Sequence, residues 1–264
     1  MCGIAGYSLS PSARLDRTLA AQALLAAIAE RGADAVGYAY RAPSRAHPTV
    51  VKQRTPASQL LERVAVPDEA TQFLIHVRDY TKGHPSIAAN NHPVRHGPVI
   101  GVHNGIIVND DELLMAHSCS RAEPRMTVDS EAIFALAAHS RNDARALEAL
   151  DGSMAAAWLD EREPELVFVA RGIGRPLWLG QGAAGVFFAS TELALDVLET
   201  YCGLKLRKRE VPEGSLVALH SGTVALRARF KARPFADQDK LPAIRAPEER
   251  EFCLRRLATI AAAP

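Results

Sequence analysis

The sequence predicts an α+β fold in which the strands form largely antiparallel sheets. Short apolar runs separated by turn residues fill residues 153–226, a pattern typical of neighbouring antiparallel strands. Stretches with helical spacing of apolar residues lie before, between and after these runs, which indicates helices packed against sheets. The 264 residues, 48% hydrophobic and 23% charged, are ordinary for a soluble globular protein and allow one large domain or two small ones.

The first half of the chain alternates strands and helices. An Ala/Leu-rich helix is predicted over 15–30, because Leu15, Leu19, Leu24 and Ile28 recur near helical spacing before the break at Gly32. A second helix is predicted from Thr127 to residue 139, with acidic residues in its first turn. The predicted strands are 3–8, 36–40 and 72–78, and the predicted loops are 42–58 and 79–93. Another apolar run, 99–107, is interrupted at residues 103–105, where a strand is expected to meet a tight turn.

The second half is richer in strands. One helix is predicted over 191–201 and another, short one over 248–261. The predicted strands are 153–159, 165–170, 177–179, 186–189, 204–211, 215–220 and 223–226. From residue 227 the chain turns basic and Pro-containing, so we expect one domain over 1–226 and a C-terminal extension over 227–264.

Charge and hydropathy exclude several classes of function. The net charge of +1 gives no general affinity for nucleic acid, and no apolar run approaches the ~20 residues of a membrane span. The N-terminal residues lack the pattern of a secretion signal, so we expect a cytoplasmic protein. The cysteines at 2, 119, 202 and 253 are widely scattered, which disfavours both a disulfide framework and a zinc knuckle.

Cys2 is the first candidate catalytic residue. Removal of Met1 would leave its thiol and its α-amino group on one residue. An α-amino group titrates at roughly 7.7–8.0, which suits a general base for the thiol near neutral pH. The alternative, from the dipeptide alone, is that a cysteine stands second by chance.

Asn104 and Gly105 are candidates for an oxyanion hole. An Asn side-chain amide and the following backbone N–H can both point at one developing negative oxygen. Taken alone, the same Asn-Gly pair is also the usual signature of a hairpin turn.

Arg78 and Asp129 are candidates for binding a free amino acid. Arg78 ends an apolar strand and could grip a carboxylate with two parallel hydrogen bonds, or instead form a surface ion pair. Asp129 could accept hydrogen bonds from an ammonium group, or serve as a plain helix N-cap. Together the two side chains would suit the two charged ends of a free amino acid.

Two further patterns are rejected as cofactor or metal sites. The run 180–185 fits G-x-G-x-x-G, but an apolar strand follows it where a dinucleotide site requires a helix, so we predict a hairpin there. Histidines crowd residues 76–103, yet no neighbouring Cys or acidic pattern completes a set of ligands. We therefore expect neither a cofactor nor a metal.

Several segments, in this order, resemble the class II glutamine amidotransferase domain of the N-terminal-nucleophile (Ntn) hydrolases, most closely the glutaminase half of glucosamine-6-phosphate synthase. The likeness covers about residues 1–225. The matching segments are 2–4, 31–37, 76–83, 90–93, 102–107, 127–131, 151–153, 170–176, 188–192 and 213–214.

The resemblance implies a four-layer αββα fold, with two antiparallel sheets packed face to face between helices. It implies that Cys2 attacks the side-chain amide of glutamine to form a thioester, with Asn104 and Gly105 as the oxyanion hole. It also implies that Arg78 binds the α-carboxylate and Asp129 the α-amino group, with Thr81 in the same binding loop.

The binding loop departs from the family pattern His-Thr-Arg-Trp-Ala-Thr-His-Gly. Here it reads His-Val-Arg-Asp-Tyr-Thr-Lys-Gly over 76–83, so that Asp79 replaces the tryptophan and Lys82 the second histidine. The leading hypothesis is a glutaminase subunit that supplies ammonia to a separate acceptor synthase. The alternatives are a hydrolase for another γ-glutamyl amide or peptide, and a non-catalytic glutamine-sensing module.

Overall fold

A computed structural model describes residues 2–235 and 243–262 of the chain. The strands are β1 Gly3–Leu9, β2 Ala35–Arg41, β3 Thr49–Gln53, β4 Gln72–Arg78, β5 Val94–His96, β6 Val99–Ile107, β7 Gly152–Asp160, β8 Leu166–Arg171, β9 Trp178–Gly182, β10 Gly185–Ala189, β11 Arg207–Glu210, β12 Ser215–His220 and β13 Thr223–Arg229. The α-helices are α1 Arg17–Ile28, α2 Ala57–Leu60, α3 Asp110–Ala116, α4 Glu131–Ser140, α5 Glu192–Cys202 and α6 Pro247–Ala261. Short 3₁₀ turns cover Ala29–Arg31, Leu61–Arg63, Ala88–Asn90 and Ala144–Ala149.

The strands form two sheets, and every strand pair within them is antiparallel. The first sheet has the order β11-β9-β10-β1-β4-β2-β3, and the second has the order β13-β12-β8-β7-β6-β5. Every residue of the inner strands β1, β4 and β7 is buried, so each sheet packs on both of its faces.

Three apolar clusters show the layers of the fold. One lies between the sheets and includes Ile4, Leu74 and Val102. A second packs α1 and α5 on the outer face of the first sheet, and a third packs α4 on the outer face of the second sheet. The predicted αββα sandwich is therefore confirmed.

Capping residues explain where α1 and α5, the two helices on the first sheet, begin or end. The Asp16 carboxylate accepts a hydrogen bond from the backbone N–H of Leu19 at 2.8 Å, which caps α1. Thr191 caps α5 in the same way, by accepting from the N–H of Ala194 at 3.3 Å, and Gly203 ends that helix in a left-handed conformation. Both helices can then lay their Ala/Leu faces on the sheet.

Two predictions for local structure were wrong. The segment 42–58 is not all loop, because Thr49–Gln53 pairs with β2 as an edge strand and Ala57–Leu60 is helical. The Asn104-Gly105 pair is not a hairpin turn, because β6 continues through it in register with β7. The predicted hairpin at 180–185 is confirmed by the pairing of β9 with β10.

The C-terminal helix lies against the first layer of helices. Cys253 and Leu257 of α6 are fully buried in the same cluster as α1. The backbone N–H groups of Arg245 and Ala246 donate to the Glu30 carbonyl at 2.8 and 2.9 Å, just before α6 begins. Among residues 2–235 and 243–262, no helix is long and apolar enough to span a bilayer.

Candidate active site

The alternation of side chains along three central strands places the candidate site at one end of the layer between the sheets. Ile4, Leu74 and Val102 face this layer. Residues two or four positions further along the same strands share that face, and Cys2 precedes Ile4 in the same parity. Arg78 and Asn104 thus continue the apolar rows with polar side chains at one end of the sandwich.

The structure gathers five of the six predicted site residues around one cavity of roughly 230 Å³, counting the space at its mouth. They are Cys2, Arg78, Thr81, Gly105 and Asp129. The sixth, Asn104, does not line the cavity. It lies between two residues that do, and its side chain is fully buried.

Both the backbone carbonyl and the side-chain thiol of Cys2 form hydrogen bonds. Its carbonyl accepts a hydrogen bond from the Arg31 Nε at 2.9 Å, and its thiol donates to the Asp79 carbonyl at 3.4 Å. Burial raises the pKa of the Cys2 thiol, and the hydrogen bond to Asp79 only partly offsets this effect. The thiol is therefore protonated at neutral pH and needs a base before it can act as a nucleophile.

The backbone around Arg78 is fixed by close packing against Gly32. A Cβ added to Gly32 would lie 2.4 Å from the Arg78 carbonyl carbon, so only glycine fits at this position. The neighbouring Asp34 N–H donates to the Arg78 carbonyl at 3.0 Å. The segment after α1 thus fixes the end of β4, where the guanidinium enters the site.

Arg78 is not the surface residue that one interpretation expected, because it is only 2% exposed. Its guanidinium donates to the Asn91 side-chain oxygen at 2.6 Å and to the Lys82 carbonyl at 2.9 Å, and it also donates to the Gly83 carbonyl. Arg78 therefore holds the 79–83 loop through main-chain oxygens. Burial lowers the pKa of Arg78, while the nearby Cys2 and Asp129 raise it.

Asp129 is not the N-cap of α4, since Ser130 occupies that position. Its carboxylate instead accepts a hydrogen bond from the Ile107 N–H at 2.8 Å, at the end of β6. Burial raises the pKa of Asp129 to about 6, and the Ile107 hydrogen bond opposes this shift. A buried carboxylate with spare acceptor capacity is suited to bind a cation.

Asn104 and Gly105 have features that an ordinary strand does not require. Neither polar atom of the Asn104 side chain has a hydrogen-bond partner among residues 2–235 and 243–262. Such an atom costs about 1–3 kcal/mol when buried, so its retention needs an explanation. Gly105 has φ of +149°, and an added Cβ would lie 1.9 Å from the Ser153 carbonyl oxygen.

Three buried histidines, His76, His92 and His103, lie at or next to the cavity. His76 stacks on His92 with ring centroids 4.1 Å apart, and the His103 Nδ1 lies 2.8 Å from the Ser130 hydroxyl. Burial lowers the pKa of all three, so they are neutral at pH 7. Within the part of the chain that the structure describes, no group of three or more His, Cys, Asp or Glu is arranged to hold a metal ion.

The two departures in the binding loop form ion pairs. The Lys82 Nζ lies 2.6 and 2.8 Å from the two Asp110 carboxylate oxygens, at the start of α3. The Asp79 carboxylate lies 3.3 Å from the Arg245 Nε, just before α6. Sequence spacing gave no signal for either pair, because the partners are 28 and 166 positions away in the chain.

Comparison with known proteins places part of the chain in a family. Residues 68–197 match the family described as a glutamine amidotransferase domain. The chain carries a class II glutamine amidotransferase domain. The matched region includes five of the six candidate residues, all except Cys2, together with the whole 79–83 loop.

Curated relatives of the domain are glutamine–fructose-6-phosphate aminotransferases. The enzyme of Salmonella typhi is 32% identical over 207 residues, which cover 74% of this chain and 32% of that protein. The enzyme of Vibrio parahaemolyticus is 30% identical over 177 residues, which cover 62% of this chain and 28% of that protein. The chain thus spans about a third of the length of the curated relatives it matches.

Solved structures share the fold of the domain. The glutamine phosphoribosylpyrophosphate amidotransferase of B. subtilis has a TM-score of 0.67 at 19% identity, covering 86% of this chain and 49% of that chain. A glutamine aminotransferase class-II domain protein from Silicibacter pomeroyi has a TM-score of 0.56 at 20% identity, covering 88% of this chain and all of that one. At this identity the likeness shows a shared fold alone.

Proposed function

We propose that the domain hydrolyses the side-chain amide of glutamine through a thioester on Cys2. The observation that carries the proposal is one cavity lined by a thiol, a buried guanidinium and a buried carboxylate, with an unpaired Asn amide beside it. Glutamine presents an amide at one end and a carboxylate and an ammonium group at the other. These groups match the cavity in chemistry and in charge.

In the proposed first step, removal of Met1 exposes the α-amine of Cys2, which takes the thiol proton. The sulfur then attacks the amide carbon of glutamine, and its C–N bond breaks as ammonia leaves with the proton. The Asn104 Nδ2 and the Gly105 N–H stabilise the negative oxygen of the tetrahedral intermediate. Water attacks the resulting thioester, releases glutamate and restores the thiol.

The proposed binding roles follow from the charges. Arg78 binds the α-carboxylate of glutamine and Asp129 its α-ammonium group. Thr81 lies on the loop that Arg78 holds and completes the wall of the cavity. We further propose that the ammonia is used by an acceptor synthase in a separate protein. The aminotransferase activity named for the curated relatives supports the use of the nitrogen by an acceptor.

A hydrolase for other γ-glutamyl amides or peptides is the second candidate. It was suggested by the charges of Asp79 and Lys82, which could select a different leaving group. Because Arg245 and Asp110 engage these charges, the two residues give that candidate less support.

The test is intact-mass measurement after incubation with 6-diazo-5-oxo-norleucine, a glutamine-analogue electrophile, followed by peptide mapping. We expect one adduct, on Cys2, in protein that lacks Met1, and none in Cys2→Ala. The other cysteines, at 119, 202 and 253, are internal controls in the same sample. No adduct on processed protein, or faster turnover of a γ-glutamyl peptide than of glutamine, would contradict the proposal. Retained Met1 with intact glutamine binding would indicate a sensor.

A further inference from the structure

A second cavity, lined by three arginines, lies at one lateral margin of the sandwich. It is open to solvent and lies between the edge strands of the two sheets, with roughly 390 Å³ of empty space that includes the solvent at its mouth. Arg207 and Arg209 reach it from β11, and Arg227 reaches it from β13. The cavity is separate from the candidate active site, because its wall residue Val186 pairs with Ser8, near the end of β1 that is remote from Cys2.

Register explains why these side chains converge. Arg209 pairs with Leu179 on β9, and Arg227 pairs with Val217 on β12. Leu179 and Val217 both belong to the apolar cluster between the sheets. Directly paired residues share a face, so Arg209 and Arg227 start on the faces turned toward the layer between the sheets, and their side chains lie exposed at its margin, as does that of Arg207. Apolar side chains would normally close the layer at this margin.

The three guanidinium groups are not neutralised by the protein. Within residues 2–235 and 243–262, none of them has a hydrogen bond or an ion pair. The acidic wall residue, Glu210, is engaged by Arg171 at 2.7 Å. Cations that share one concave surface repel one another, although solvent screens part of the repulsion among these exposed side chains. An anion in the cavity would relieve this repulsion.

The floor of the cavity restricts the kind of anion. Leu179, Val186, Val211 and Val224 line it together with the arginines. A phosphoryl group offers three acceptor oxygens and close to two negative charges, so it can engage more than one guanidinium fork at once. A carboxylate can satisfy one fork. The apolar floor would contact the organic part of a small ligand.

We infer that this cavity, formed by Arg207, Arg209 and Arg227 over an apolar floor, binds a small phosphorylated molecule. The site is independent of the chemistry proposed at Cys2. It would hold even if the domain did not hydrolyse glutamine.

The test is isothermal titration calorimetry of the full chain with inorganic pyrophosphate at fixed ionic strength. We expect saturable binding that Arg227→Gln and Arg207→Gln each weaken at least about tenfold, the loss of one charge-assisted contact. Arg14→Gln is the matched control, since Arg14 is exposed and does not line this cavity. It makes the same change in net charge and should bind pyrophosphate as the unmodified chain does.

Three results would overturn the inference. They are the absence of saturable pyrophosphate binding, equal weakening in all three variants, and binding of a hexaglutamate peptide but not of pyrophosphate. The last result would assign the arginines to an acidic protein segment. Thermal unfolding of each variant would exclude loss of the fold as the cause of weakened binding.

Discussion

At the scale of single residues, Asp129 combines an unfavourable environment with a proposed function. Its pKa of about 6 in the folded chain exceeds the ordinary value of 3.8. The folded state therefore holds this proton more tightly than the unfolded state does. The resulting stabilisation is fully present below the unfolded pKa and is lost as the pH rises through about 6. Above that pH the buried charge destabilises the fold.

We predict that Asp129→Asn raises the free energy of unfolding at pH 7 by about 2 kcal/mol, because the amide oxygen can still accept from Ile107 and no charge is buried. The same change should abolish most glutaminase activity by removing the partner of the ammonium group. Urea unfolding at pH 4 is the control, since the carboxyl of the unmodified chain is then protonated and the gain in stability should vanish. A loss of stability at pH 7 would contradict this account.

Asn104 gives a second prediction at the same scale. If its amide donates only to the oxyanion, Asn104→Ala should lower kcat by about 10²–10³ with little change in KM. It should not lower stability, because the buried amide has no hydrogen-bond partner to lose. Asn91→Ala is the matched comparison. That amide accepts from Arg78 and donates to the Pro85 carbonyl at 2.8 Å, so its loss should destabilise the fold. Steady-state glutaminase kinetics and urea unfolding measure both. An unchanged kcat for Asn104→Ala would exclude the oxyanion role.

At the scale of elements, the 79–83 loop is tied to α3 by Lys82. The Asp110 carboxylate that Lys82 contacts is nearly fully buried, and Arg121 also binds it, at 2.7 Å. The Lys82 carbonyl accepts a hydrogen bond from Arg78. The ion pair therefore also helps to position the guanidinium that we propose to bind glutamine. The lysine thus gives this loop an anchor in place of the histidine of the family pattern.

We predict that Lys82→Met raises KM for glutamine roughly three- to tenfold, about 1 kcal/mol of lost loop ordering, with a smaller effect on kcat. Lys82→Arg should restore most of the affinity, because it keeps the charge opposite Asp110. Lys231→Met, at an exposed position in the C-terminal segment, is the matched control and should leave KM unchanged. Equal effects of the Met and Arg substitutions would show that the ion pair does not hold the loop.

The amino-acid sequence predicted the strands around the site better than it predicted the contacts of the 79–83 loop. Strand 72–78 was placed correctly, because it is a buried run of apolar residues. The apolar run 99–107 was expected to be interrupted at 103–105, but it forms one continuous strand. Turn propensity failed at Asn104-Gly105, where pairing with β7 overrides it. The helix α3 was not predicted, because it is short and begins with three acidic residues. Its apolar face, Leu113 and Leu114, is too short to give a helical pattern. The anchor of Lys82 could not be predicted, since its partner is distant in sequence.

At the scale of the whole molecule, the division at residue 226 remains a proposal. The strand β13 runs across that boundary, from Thr223 to Arg229. Further along, α6 places Leu257 in the apolar cluster with α1. Glu249 of α6 also accepts hydrogen bonds from the Ser58 backbone N–H and hydroxyl, at 2.9 and 3.0 Å. These contacts are of the kind that join a helix to a domain core.

If α6 folds together with the domain, truncating its buried leucine should destabilise the whole molecule. We predict that Leu257→Ala lowers the free energy of unfolding by about 2–4 kcal/mol, with one cooperative transition, because the cavity opens in a cluster shared with α1. Leu254→Ala is the matched control, since it removes the same atoms from the same helix at a partly exposed position and should cost less. Urea unfolding followed by both far-UV circular dichroism and tryptophan fluorescence makes the measurement. A separate early transition for Leu257→Ala, with the main transition unmoved, would mean that 227–264 is an extension that folds apart from the catalytic body.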